Sequence, residues 1–349
     1  MNVGYSVSKL KAMIESNNKG GKVAYPLDNF AQNEVTQLNN FQYLFNYGSI
    51  AAVNGELYRL GGNGYSNIIE KLSTNGKDWW FYDNTPMYIE KSAITSFNGN
   101  IHVFGSASSA YSKNHYKFDG TDWTKMSDIP SGTPYCACHD NEFIYIIITN
   151  KLYKYDDTTD AYIELSTVPT PFSDYRETSI IYDEKNNLLR VFYADKYTSF
   201  NLNTNQWIST VTTLDRATEN SARMSVCYFN GHIYGVPSPG KTNDDGTYNL
   251  IYKFDRVSKK WECVYKGNEF VPVWSSIEVF KNQIYIATGN NTYTSFRYDC
   301  SNGIQGYVEK DTKVYYPINS YVIKGDMEIV DGGYIAKSDG EVVIGKAGD

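Results

Sequence analysis

The chain is poor in the residues that usually carry metal or nucleophilic chemistry. It has four histidines (His102, His115, His139 and His232) and five cysteines (Cys136, Cys138, Cys227, Cys263 and Cys300). An odd, scattered set of cysteines does not read as a disulfide framework, so they are expected to be reduced and packed as small apolar groups. Cys136 and Cys138 alternate along one strand and share a side. A structural zinc site wants four ligands, and no second cluster of suitable spacing is present. The run Asn243-Asp244-Asp245-Gly246 lacks the alternation and the distant Glu of a calcium loop and reads as a turn. No cofactor and no metal are expected.

Other absences narrow the function further. No apolar run approaches the roughly 18 residues of a membrane span. The net charge is −7 with no basic block, which argues against a nucleic-acid partner. Lys9 and Lys11 interrupt the N-terminus where a signal peptide would need its apolar core, so synthesis in a cytoplasm without Sec export is expected. Helical periodicity is nearly missing. Its one instance is Val7 to Ser16, with Val7, Leu10, Met13 and Ile14 on one face. Asp and Glu are scattered through turns and offer no general acid and base pair, so an enzyme is not expected.

What the chain has instead is a phrase repeated about every 44 residues. A strand, a tight polar turn and an apolar strand recur at Ile50 to Tyr58, Ile94 to His102 and Cys136 to Tyr145. They recur again at Ile180 to Val191 (with a longer turn), Val226 to Tyr234 and Ile277 to Tyr285. Asn-Gly and Asp-Asn pairs at the turns supply the positive φ angles of two-residue hairpins. A third strand then ends in an apolar-polar pair: Leu72-Ser73, Phe118-Asp119, Tyr155-Asp156, Phe200-Asn201, Phe254-Asp255, Tyr298-Asp299. A fourth opens on a large aromatic: Trp79, Trp123, Tyr162, Trp207, Trp261 and Tyr307. Four short strands cannot bury both faces of their own sheet, and radial packing of such sheets can. The abundance of Tyr, 32 residues, suits strands.

This pattern resembles the kelch repeat, whose members carry a diglycine after the second strand. Here the diglycine survives as Gly61-Gly62, with Gly105 and Gly289 as single remnants. The fold expected is all-β: a six-bladed kelch-like β-propeller over residues 48–310. It would be flanked by a helix-and-linker extension, 1–47, and a β-rich extension, 311–349. The alignment sets Cys136 and Cys138 beside Ile50 and Ala52, as strand packing positions. Ser73-Thr74-Asn75-Gly76-Lys77-Asp78-Trp79 looks like the Asp-box turn of sialidases and other propellers, a structural motif. The kelch copper oxidases need a His, Tyr and Cys-Tyr set that the four histidines here do not supply.

On a propeller, the turns between strands one and two and between three and four share one face. The loops between strands two and three and the blade connections share the other. The second group is longer and more variable, and such loops on a rigid scaffold carry binding. The candidate ligand-binding residues are therefore Tyr111, Tyr175, Arg176, Arg216, Asp244, Asp245, Tyr248 and Trp274. Flat rings with a few charges would suit a glycan or a protein loop. The alternative is that the rings cap blade ends and the charges are solvated.

Kelch-like propellers occur in phage tail and baseplate regions, and the wealth of Asn, Lys, Tyr and Ile resembles proteins of low-GC Gram-positive bacteria and their phages. The resemblance implies a virion or tail-like particle component. It would meet a host surface glycan or protein and attach to other particle proteins through its extensions. Two alternatives stay open: an intracellular kelch-type protein-interaction scaffold, and a carbohydrate-active enzyme.

Overall fold

The computed structural model describes residues 34–299, except 46, 63–65, 171–177, 194–195, 209–211, 214–222, 230, 239–242, 244–245, 270–274, 282 and 290–293; it also describes the strands named below within 23–26 and 305–345. The expected helix at Val7 to Ser16 lies outside the described residues. Two compact units emerge: Val35–Tyr298, and Met1–Glu34 with Asp299–Asp349.

The larger unit is a six-bladed β-propeller. Blade one is Ser49–Val53, Glu56–Leu60, Ile68–Leu72 and Trp79–Asn84. Blade two is Ala93–Phe97, Asn100–Phe104, His115–Phe118 and Trp123–Lys125. Blade three is Pro134–His139, Ile144–Ile148, Lys151–Asp156 and Ala161–Thr167. Blade four is Thr178–Asp183, Leu188–Tyr193, Lys196–Asn201 and Gln206–Trp207, with Thr212–Thr213 also on the third strand. Blade five is Arg223–Phe229, His232–Ser238, Tyr248–Asp255 and Lys260–Gly267. Each inner strand packs on the next, and Ser276–Phe280 of blade six packs back on Ser49–Val53, so the ring closes.

The closure differs from the sequence expectation. Blade six is Ser276–Phe280, Gln283–Ala287 and Ser295–Asp299, and its outer strand is Glu34–Gln37. Tyr307 does not open that strand; Gln305–Val308 pairs with Val23–Pro26 in a different sheet. Joining the first and last parts of the chain in one blade locks the ring with strand hydrogen bonds. Leu38 N donates to Ser295 O at 2.9 Å, and Trp79 Nε1 donates to Ser295 Oγ at 2.8 Å.

The repeat explains the packing. Each aromatic that opens a fourth strand sits directly across from the apolar residue that ends the third: Leu72 from Trp79, Phe118 from Trp123, Tyr155 from Tyr162, Phe200 from Trp207 and Phe254 from Trp261. The ring centroids of the last four pairs lie 4.9, 4.8, 5.2 and 5.2 Å apart. Such pairs contribute about 0.5–1.5 kcal/mol each beyond their burial. The polar residue that follows folds the next turn. Asp119 Oδ1 accepts from Thr121 N and Asp122 N, both at 2.8 Å, and Asp156, Asn201 and Asp255 accept from the turn in the same way. The Asp-box-like run closes likewise, Asn75 Oδ1 accepting from Lys77 N at 2.8 Å.

The turns follow the glycine signals in part. Asn54-Gly55 and Asn98-Gly99 take positive φ as expected. Asp140-Asn141 takes none; there the Asp140 carboxylate accepts Glu142 N and Phe143 N, both at 2.8 Å, and a four-residue turn results. Gly61, the surviving diglycine's first residue, has φ +64°, and a Cβ there would meet Ile89 O at 1.9 Å. Only glycine lets the chain pass that close.

Register also corrects the alignment of the two cysteines by one residue. Cys138 faces Tyr145 as Ala51 faces Tyr58, so Cys136 and Cys138 correspond to Ser49 and Ala51. Both are buried in the core between blades three and four, beside Ile180 and Leu189.

The smaller unit carries a five-stranded sheet in the order Val23–Pro26, Gln305–Val308, Val314–Pro317, Gly333–Ala336, Met327–Val330. Val322–Lys324 pairs with Val343–Gly345 as a separate two-stranded sheet. Among the described residues no helix is long and apolar enough to cross a membrane.

Candidate functional site

Of the eight loop residues singled out by sequence, Tyr175, Arg176, Arg216, Asp244, Asp245 and Trp274 lie outside the described residues. Tyr111 ends a 3-10 turn in blade two, half-buried, its ring 5.2 Å from that of Tyr88. Tyr248 opens the third strand of blade five, half-buried and across from Gly267. They stand three blades apart, and no contact joins them among the described residues.

The described surface offers a site on the other face, at the turns. There the blades are tied at their seams. Between blades one and two, Asn54 Nδ2 donates to Asp119 O at 2.7 Å. Between two and three, Lys117 Nζ pairs with Asp157 Oδ1 at 3.1 Å. Between four and five, Arg256 Nε pairs with Asp183 Oδ2 at 3.0 Å, and Arg190 holds the same carboxylate. These contacts hold the Asp183 carboxyl below the usual carboxylate range against the opposing pull of burial.

The seam between blades three and four is tied by Trp207 Nε1, which donates to Ser166 Oγ at 3.1 Å, and is open at the turns. The turn Asp140–Phe143 and the turn after Asn201 make no hydrogen bond to each other among the described residues. A cavity of about 440 Å³ lies between them, within the ~300–1,000 Å³ of small-molecule sites. Phe143, Leu165 and Leu202 give it apolar walls; Asn141, Glu142 and Asn205 stand exposed around it. Its floor is fixed by hydrogen bonds. Tyr145 OH donates to Asp140 Oδ2 at 2.7 Å, Tyr182 OH to Asn187 Oδ1 at 3.1 Å, and Asn187 Nδ2 to Asn203 Oδ1 at 2.7 Å. Lys154 Nζ lies 3.9 Å from the Phe143 ring centroid. Burial first, then the bond to Asp140, pushes the Tyr145 phenol far up, so it stays a donor.

The sequence carried a signal for this groove. Blade four's longer first turn is that signal; blade three's turn reads as a two-residue hairpin and is a four-residue turn in the structure, and both turns line the groove. The central channel is a second cavity, of about 360 Å³, and shares Asp140, Asn141 and Tyr182 with the groove as lining residues.

A third cluster is sealed. Tyr162 OH donates to His115 Nδ1 at 2.8 Å, His115 and His102 bond through Nε2 and Nδ1 at 3.0 Å, and His102 Nε2 faces Asp157 Oδ1 at 3.8 Å. Neither ring is reached by solvent. Burial, the largest cause, holds His102 down to about 4 and His115 to about 2, so both are neutral and bind blade two to blade three. Among the described residues no group of three or more His, Cys, Asp or Glu is placed to hold a metal ion.

Comparison with known proteins finds no family model that matches the chain and no curated protein that matches it.

Proposed function

We propose that the chain is a non-enzymatic binding propeller that recognises a surface glycan at the open seam between blades three and four. The observation that supports this reading most is the seam itself: where the neighbouring seams are tied at the turns, this one keeps an apolar-walled groove ringed by amides and a carboxylate. Sugar rings present C–H faces that pack on rings such as Phe143, and hydroxyls that pair with Asn141, Glu142 and Asn205. A floor already bonded into place costs little ordering on binding. The setting proposed is a phage or phage-tail-like particle, on the strength of composition and the kelch-like repeat. The loop face with Tyr111 and Tyr248 remains a second contact surface in this proposal.

A protein-interaction scaffold is the competing reading, favoured by one observation. The outer strand of blade one exposes Trp80, Phe81 and Tyr82 in succession, 58%, 45% and 37% accessible, and exposed aromatic patches mark interaction sites. A glycan array probed with the whole chain and with Asn141→Ala/Asn205→Ala separates the two. Signal lost in the double variant supports the groove. Signal unchanged, or no glycan bound, favours the scaffold.

A further inference from the structure

The central channel is walled by the inner strands of all six blades. Each of these strands ends its sheet, so one backbone edge has no strand partner and turns its carbonyl and N–H groups toward the channel. The side chains repeat by level. At the first level stand Ser49, Ala93, Cys136, Ser179, Ser225 and Ser276, and two of these serines tie blades together. Ser225 Oγ donates to Ser275 O, and Ser276 Oγ accepts from Ile50 N at 3.1 Å. Ser179 differs: 6% accessible and lining the channel, its hydroxyl has no hydrogen-bond partner among the described residues. The hydroxyls of Ser92 and Ser96 line the channel in the same condition.

Two residues along, the equivalent positions are Ala51, Thr95, Cys138, Ile181, Cys227 and Glu278, of which all but Ala51 line the channel. One blade alone places a carboxyl here. Glu278 accepts a hydrogen bond from its neighbour Val279 N at 3.1 Å and has no cation beside it among the described residues. Among the described residues no lysine or arginine lines the channel, while Asp140 and Glu184 add acidic groups near one mouth.

We propose that the central channel binds an alkylammonium group, paired to Glu278 and bonded to the unsatisfied serine hydroxyls. An ammonium has three N–H donors and no acceptor, so a carboxylate and the oxygens of a channel wall are the partners it calls for. A metal ion fits the wall less well, since no cluster of three side-chain ligands is formed among the described residues. The carboxyl is ready for such a partner: burial without a countercharge pushes Glu278 up to about 8, and an arriving cation would displace its proton. The titratable residues on the strands packed against it are Tyr285 directly across, Arg223, Cys227 and Tyr228 on the inner strand of blade five, and His232 and Tyr234 on the strand next to that one. The blade-one strand, Ser49–Val53, brings none. This site is separate from the glycan groove and stands or falls without it.

The test is calorimetric titration of the whole chain with n-butylammonium chloride, in two buffers of different ionisation enthalpy, at pH 6.5, 7.5 and 8.5. A second arm uses lysine blocked at both ends, which tells a free amine from a protein side chain. The expected result is saturable binding that releases a proton below pH 8 and tightens about tenfold per pH unit up to that point. Glu278→Gln, checked for folding by its melting transition, should bind at least about tenfold more weakly, and Ser179→Ala more weakly than wild type. Equal binding by Glu278→Gln, no saturable binding of either amine, or Glu278-dependent binding of potassium or calcium alone would overturn the proposal.

Discussion

Arg59 and Glu70 face each other across adjacent strands of blade one, Nε to Oε2 at 3.4 Å, and neither side chain is reached by solvent. The pair grips the segment that leads from the closing strand into the ring. Arg59 Nη2 donates to Leu44 O, and Glu70 Oε1 accepts from Gln42 N at 2.6 Å. The guanidinium also lies 5.9 Å from the ring centroids of both Phe41 and Phe45. Burial works against both charges, lowering Arg59 and raising Glu70, and each partner offsets part of the other's cost.

Removing one partner should therefore cost more than removing both. Arg59→Ala or Glu70→Ala is expected to destabilise by about 3–5 kcal/mol, because a buried charge is left alone. Arg59→Met/Glu70→Leu should lie within about 1–2 kcal/mol of wild type. Urea unfolding of the three variants checks this, and equal losses in all three would show that the segment is held by its aromatic packing instead.

The histidine seam makes the protein acid-sensitive. His102, His115 and His232 are held below the ordinary imidazole value, chiefly by burial. The unfolded chain then takes up protons at about pH 6.5 that the folded chain refuses. Stability is full above that pH and falls as the pH drops toward about 4, the value for His102 and His232. The slope is up to about 1.4 kcal/mol per pH unit per histidine. The pH dependence of the unfolding free energy between pH 7 and 4 should weaken by one histidine's share in His115→Phe, with His102, Asp157, Lys117 and Tyr162 left as the seam's polar groups.

Glu278 acts in the opposite direction. Its folded value, about 8, lies above that of the unfolded chain, so it lowers stability progressively as the pH rises from about 4.5 to 8. Glu278→Gln should match wild type near pH 4.5 and exceed it by a growing margin toward pH 8. A constant margin across that range would mean that the carboxyl is well solvated.

The cross-strand rings set the strength of each blade. Trp261 is 9% accessible and packs on Phe254 and Phe192. Trp261→Ala should cost about 3–5 kcal/mol, and Trp261→Phe less than about 1.5 kcal/mol, both by thermal or urea unfolding.

Much of this was legible in the chain. The period gave the six blades, and the apolar-polar pair followed by an aromatic gave the third and fourth strands, because one cross-strand contact and one capped turn recur locally. The outer strand of blade six was not legible. Glu34–Gln37 is four residues without an aromatic opener, and its pairing joins parts of the chain over 250 residues apart. Nor was the groove chosen at that level. Length of loop pointed to the opposite face, whereas the open seam depends on which turns meet and fail to bond. Glu278 carries no local signal in the sequence; only the register sets it level with Ala51, Cys138 and Cys227 of other blades.

The most direct measurement is a crystal structure of the chain with the strongest-binding oligosaccharide from the array. A sugar packed on Phe143, with its hydroxyls bonded to Asn141, Glu142 or Asn205, is the predicted result. A sugar seated on the loop face with Tyr111 or Tyr248, leaving the seam between blades three and four unchanged, would contradict it.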